Sequence, residues 1–179
     1  DKERLGTGWM WDDEPFPFSA QIGALSVGGN TVTVKVTPGR MGKPPRIQVS
    51  PAPDYMRVVN RAKTVAGSGQ ALTIDRKRAE NKLIITGTIG KDHPGMKVRR
   101  TVEDPARFTG AVFRELLRQE GVKMHPDSRI VSGEKEPGAK RIGRTASPVM
   151  ERLLEHMVRE GDPFYAEMLL KQLGAHVSG

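Results

Sequence analysis

The sequence contains no cysteine, and aromatic residues make up only 5% of its 179 positions. The first absence excludes disulfides, thiolate nucleophiles and thiolate metal sites. It leaves the compartment open, because exported domains without cysteine are common. No apolar run approaches the roughly 18 residues that read as a membrane span, and the opening DKERLGTGWMW lacks the basic-then-apolar order of a secretory leader. The four histidines, His93, His125, His156 and His176, show no i, i+4 pair, so neither a metal site nor a cofactor is expected. Familiar catalytic signatures are missing too: there is no phosphate-cradling Gly-rich loop, no His-Glu-x-x-His pair and no Gly-x-Ser-x-Gly elbow.

What the chain does have is a localised positive charge. Its net charge is +8, and between Arg57 and Arg100 eleven Lys or Arg stand against Asp75, Glu80 and Asp92, so the middle of the chain carries the whole excess. Such a surface attracts any polyanion within about 8 to 10 Å. Nucleic acid is disfavoured because residues 57–100 contain no aromatic residue for base stacking and read as strands, with no recognition helix. A plainly solvated basic face, an anionic membrane surface and an anionic wall polymer are the other readings, the last with Arg76, Lys77, Arg78, Arg99 and Arg100 as candidate contacts.

The pattern along the chain predicts an α+β fold. QIGALSV reads as a strand, with Gly28-Gly29-Asn30 opening a hairpin into the strictly alternating TVTVKVT. RIQVS, MRVVN, ALTIDR and KLIITGTI follow as short strands, separated by Pro, Gly, Ser or Asn clusters. Residues 30–96 are therefore expected to form a β-rich, sandwich-like unit. It would be mounted on a mixed α/β part built from residues 1–29 and 97–146, where GVKM and RIV are further short strands. Asp104-Pro105 caps a helix over ARFTGAVFRELLRQEG, with Phe108, Val112, Leu116 and Leu117 on one face and Gly121 as its stop. Residues 147–179 hold two more helices, PVMERLLEHMVRE opened by Ser147-Pro148, and GDPFYAEMLLKQLG, with Asp162 as cap, Pro163 in the first turn and Gly174 as stop. Phe164, Met168, Leu169 and Leu173 mark the core stripe of the last helix.

One short match to a catalytic motif stands out. Ser132 to Lys135, SGEK, has Ser-x-x-Lys spacing, but Pro137 and Gly138 follow in a charged loop, whereas that chemistry needs a buried helix start and a desolvated lysine. It is expected to be a chance match. Several stretches taken in order carry more: GWMWDDEPFPFSAQIGALSVGGNTVTV, Pro38-Gly39, VNRAKT, LTIDR, ITGTI, VEDPARFTGAVFRELLRQEGV, ASPVMERLLEHM and FYAEMLLKQLG. In that combination the chain resembles serine-type D-alanyl-D-alanine carboxypeptidases, and more narrowly class C low-molecular-mass penicillin-binding proteins. The resemblance implies domains inserted within a transpeptidase-like domain, between its Ser-x-x-Lys and Ser-x-Asn motifs, with the two final helices belonging to that domain. It also implies a metal-free enzyme acting on peptidoglycan outside the cytoplasmic membrane, so the remainder of such a parent and peptidoglycan become expected partners.

The same resemblance places Gly161, Asp162 and Pro163 where Ser-Asp-Asn stands in the family. Glycine has no hydroxyl to relay a proton, and proline offers neither a carboxamide nor a backbone N–H. With no Lys-Thr-Gly strand in the sequence, the chain alone is expected to be a non-catalytic inserted region, either a fragment or a divergent relative; the alternative is a stand-alone module binding anionic polymer.

Overall fold

The structure, a computed structural model, describes residues 8–133 and 137–178. Its β part is two sheets that close over one core. Strand β1, Thr31–Thr37, alternates so that Val32, Val34 and Val36 point inward with no exposed surface. Burying each contributes about 1.5 to 3 kcal/mol. Its outward residues Thr33, Lys35 and Thr37 form the solvent face. β1 pairs antiparallel with β2, Arg46–Ser50, on one edge and with β7, Met96–Thr101, on the other. β7 thus crosses the expected division at 96/97 and belongs to the first sheet.

In the second sheet β6, Lys82–Gly90, is central. β5, Gln70–Arg76, is its antiparallel hairpin partner along one edge. On the other edge β3, Arg57–Asn60, and β4, Lys63–Val65, run parallel to β6 with one constant register, Arg57 opposite Lys82 and Lys63 opposite Thr88. They are one strand interrupted at Arg61-Ala62, where Arg61 N still donates to the Ile85 carbonyl at 2.8 Å. The turn from β4 into β5 wraps the end of β6: Gly90 N donates to Gly69 O, Lys91 N to Val65 O and Asp92 N to Gly67 O. A Cβ on Gly90 would stand 2.1 Å from Gly67 O, so the position requires glycine for close approach.

Helix α1, Pro105–Gln119, closes the shared core with Phe108, Ala111 and Val112. Its cap is Asp104, whose side chain accepts from Arg107 N although the residue itself sits in the left-handed region at φ 59°. Gly121, at φ 78°, ends it as expected, with Val122 N reaching back to Leu117 O. Leu116 lies outside the core, 51% exposed. Helices α2, Met150–Glu160, and α3, Pro163–Ser178, meet at Gly161-Asp162. α3 is anchored through Phe164, packed with Ala20 and Ile22 and flanked by Met168.

Four local expectations fail. QIGALSV is no strand: Asn30, fully buried at φ 49°, donates to the Gln21 carbonyl and Ser26 Oγ and accepts from Val27 N, folding residues 21–30 into a side-chain-tied loop in place of a hairpin arm. GVKM and RIV find no strand to pair with; Ile130 packs on the core at Gly110, where a Cβ would lie 2.7 Å from its Cγ2. Lys63–Val65, outside the expected strands, is β4. Gly174 does not stop α3, because it does not take the left-handed conformation and the helix continues through Ser178; Leu173, expected in the core, is 58% exposed.

Candidate functional site

The α2–α3 junction is built by capping chemistry. Gly161 takes the left-handed conformation (φ 59°, ψ 43°) that closes α2, and Asp162 N donates back to Met157 O at 3.1 Å. The Asp162 carboxylate then accepts from Phe164 N at 3.0 Å, and its carbonyl accepts from Ala166 N, as the N-cap of α3. Its second oxygen lies 3.6 Å from His156 Nε2, while the His156 ring rests 4.4 Å from the Tyr165 ring. The aspartate is thus used by the helix it starts.

The junction faces an open groove of about 860 Å³. One wall is Gly161, Asp162, Pro163, His156, Glu160 and Tyr165; the other comes from the first sheet and its approach, with Thr31, Thr33, Ser50 and Arg99. Serine, histidine and aspartate therefore line one space, yet no hydrogen bond joins Ser50 to His156 among the described residues, and no lysine lines the groove. A proton relay needs a nucleophile and base in hydrogen-bond reach, and the groove does not bring such a pair together. SGEK gives no help: Ser132 lies in an exposed coil, and Lys135 is outside the described residues.

The five basic candidates do not form one patch. Arg76 is a correction: it is 2% exposed and turned into the protein. Its Nη2 donates to Glu14 Oε1 at 2.7 Å, Nε to Thr101 Oγ1 and Nη1 to the Glu80 carbonyl, with Glu103 Oε2 at 3.7 Å. Arg100 is half-buried, its Nε on the Ile74 carbonyl and its guanidinium 5.3 Å from the Phe16 ring. Lys77 pairs with Glu80, and the exposed Arg78 stands 3.7 Å from Glu14. Arg99 alone reaches the groove, donating to Thr31 Oγ1 and Gly28 O. Strand parity carried this information. On β5, Arg76 follows Leu72 and Ile74 on the inward face, and on β7, Arg99 alternates with Val98 and Arg100.

The sequence reading missed the buried polar knot around Glu14. Besides Arg76, Glu14 Oε1 accepts from Ala79 N, and the Thr101 hydroxyl donates to the Glu14 carbonyl. Gln21 donates to Glu103 and accepts from Asp104 N, and Asn81 exchanges two hydrogen bonds with the Glu103 backbone. Tyr55 OH reaches both the Glu103 and Asp104 carbonyls, at 2.7 and 2.9 Å. Burial, reinforced by the Asp104 charge, pushes the Tyr55 phenol up to about 12. The knot fastens the N-terminal segment to the β5–β6 turn and to the start of α1. These bonds make the knot part of the architecture.

A model of the D-Ala-D-Ala carboxypeptidase 3 (S13) family matches residues 1–179. The chain belongs to that family. It is 33% identical over 188 residues to a D-alanyl-D-alanine carboxypeptidase of Actinomadura sp., an alignment covering 100% of this chain and 35% of that relative. Among solved structures it is similar in fold to penicillin binding protein 4 of Haemophilus influenzae, with a TM-score of 0.64 at 16% identity over 93% of this chain and 37% of that one. The same protein in complex with a β-lactam superposes with a TM-score of 0.58 at 15% identity, over 83% and 34%. The chain thus spans about a third of the length of the carboxypeptidase family members it matches. Among the described residues, no helix of this family member is long and apolar enough to cross a membrane.

Proposed function

We propose that this chain is a non-catalytic region of a D-Ala-D-Ala carboxypeptidase that acts on peptidoglycan outside the cytoplasmic membrane. In this reading residues 30–96 and the mixed part around them are domains inserted in a penicillin-binding domain, and α2 and α3 are where the chain re-enters it. The observation that carries the reading is the junction itself. In the arrangement the family uses, a hydroxyl and a carboxamide at the start of this helix serve proton relay and substrate holding; here Gly161 and Pro163 supply neither, and Asp162 is engaged as a helix cap. The missing hydrogen bond between Ser50 and His156 in the facing groove supports it. Each positioned acid–base or electrostatic group contributes about 10² to 10⁴ in rate, so the loss of two lowers turnover by orders of magnitude. The test is release of D-alanine from a labelled peptide ending in D-Ala-D-Ala. The purified chain is expected to match the rate without protein, and turnover above that rate that vanishes on Ser50→Ala would overturn the reading.

A further inference from the structure

The outward face of the first sheet carries a charge pattern of which the fold uses only Arg99, bonded to Thr31 Oγ1 and the Gly28 carbonyl. Register places Arg46 opposite Thr37, Gln48 and Lys97 on either side of Lys35, and Ser50 and Arg99 on either side of Thr33. Every outward position is thus a cation, a hydroxyl or an amide, and none of the outward residues is acidic. Lys35, Arg46 and Lys97 are exposed and make no ion pair among the described residues. The loop from β1 to β2 adds the exposed Arg40 and Lys43 at one end of the face. Glu160 and Asp162 line the same groove as Arg99, and Asp92 lies in the turn before β7.

Like charges directly opposite on adjacent strands are destabilising. Lys35 and Lys97 are such a pair, and a single acidic replacement would relieve them, so the stability of the sheet gives no reason for both. Alternate residues along a strand stand about 6.6 to 6.8 Å apart, which spaces Lys97 and Arg99 as two successive cationic contacts beside a row of hydroxyls.

We propose that this face, through Lys35, Arg46, Lys97 and Arg99, binds a base-free polyol phosphodiester chain. Charge complementarity supplies attraction, and Thr33, Thr37, Gln48 and Ser50 hydrogen-bond the neutral parts of the repeat. The face has no aromatic residue on which bases stack and no apolar residue to enter a bilayer interface, which separates this ligand from single-stranded nucleic acid and from a lipid surface. The site uses none of the junction residues, although Thr33, Ser50 and Arg99 also line the groove that faces the junction.

The test is binding of fluorescent poly(glycerol phosphate) to the 179-residue chain across a salt series. Oligothymidylate, poly-L-glutamate and anionic lipid vesicles serve as competitors. The double variant Lys35→Ala/Lys97→Ala is expected to weaken binding about tenfold or more and to flatten the salt slope by about two contacts. Arg107→Ala/Arg114→Ala, on the exposed side of α1, which covers the core from the other direction, should change neither. Lys97→Glu, which turns the like-charge pair into an opposite one, is expected to keep or raise Tm while losing the polymer, a combination that a misfolded variant cannot give. Equal losses in both double variants, or competition by any of the three other polyanions as strong as that of unlabelled polymer, would overturn the proposal.

Discussion

Arg76 shows what a single side chain does in this fold. Its guanidinium is held by Glu14, Thr101 and the Glu80 carbonyl with no exposed side-chain surface. Removing one partner of a buried pair leaves the other charge uncompensated, at about 3 to 5 kcal/mol. Arg76→Met should therefore lower the urea midpoint by that equivalent, and adding Glu14→Gln should restore part of it. No recovery in the double variant would mean that the charge pair is not what ties the segment down. Tyr55 makes a second prediction. Its folded-state pKa, about 12, lies above the ordinary value of 10, so folding favours the protonated phenol. The stability it contributes is full below pH 10 and is lost as pH rises from 10 to 12. Thermal melts should show Tyr55→Phe less stable than wild type at neutral pH, by about 0.5 to 1.5 kcal/mol for the lost hydrogen bond, with that gap narrowing above pH 10. A gap constant to pH 12 would contradict this. Neither residue announces itself in composition. Arg76 was legible only from its parity with Leu72 and Ile74, a signal that its position in a run of three cations obscures.

Among the elements, those set by strict periodicity were readable and those set by long-range ties were not. TVTVKVT and the α1 segment with its Asp104-Pro105 start contain their own instructions, alternation in one and a 3.6 repeat with caps in the other. The segment 21–30 has strand-like composition, but the Asn30 amide bonds to Gln21 and Ser26 override it. β4 is only three residues long, and nothing but its register with Thr88, Ile89 and Gly90 makes it a strand. The end of β6 offers the sharpest test at this scale. Gly90→Ala would drive a methyl into the Gly67 carbonyl, and overpacking of this kind typically costs about 1 to 3 kcal/mol. Hydrogen exchange should locate the damage at the amides of Gly90, Lys91 and Asp92, which bond across that turn. Unchanged protection there would show that the turn yields without loss.

At the scale of the whole molecule, one core joins both sheets and α1, while α2 and α3 hold to the rest through Phe164 and the 17–22 segment. The ordered set of stretches along the chain pointed to the carboxypeptidase family from sequence, and the family match agrees. The groove was not legible, because it is made by residues from β1, β2, β7 and the helix junction, which stand far apart along the chain. What those residues lack together is the central matter: a serine, a base and a lysine in mutual reach. Intact-mass measurement after incubation with excess penicillin tests this most directly. The chain's mass is expected to stay unchanged, and a stoichiometric acyl adduct on Ser50, Ser132 or any other serine would contradict the account.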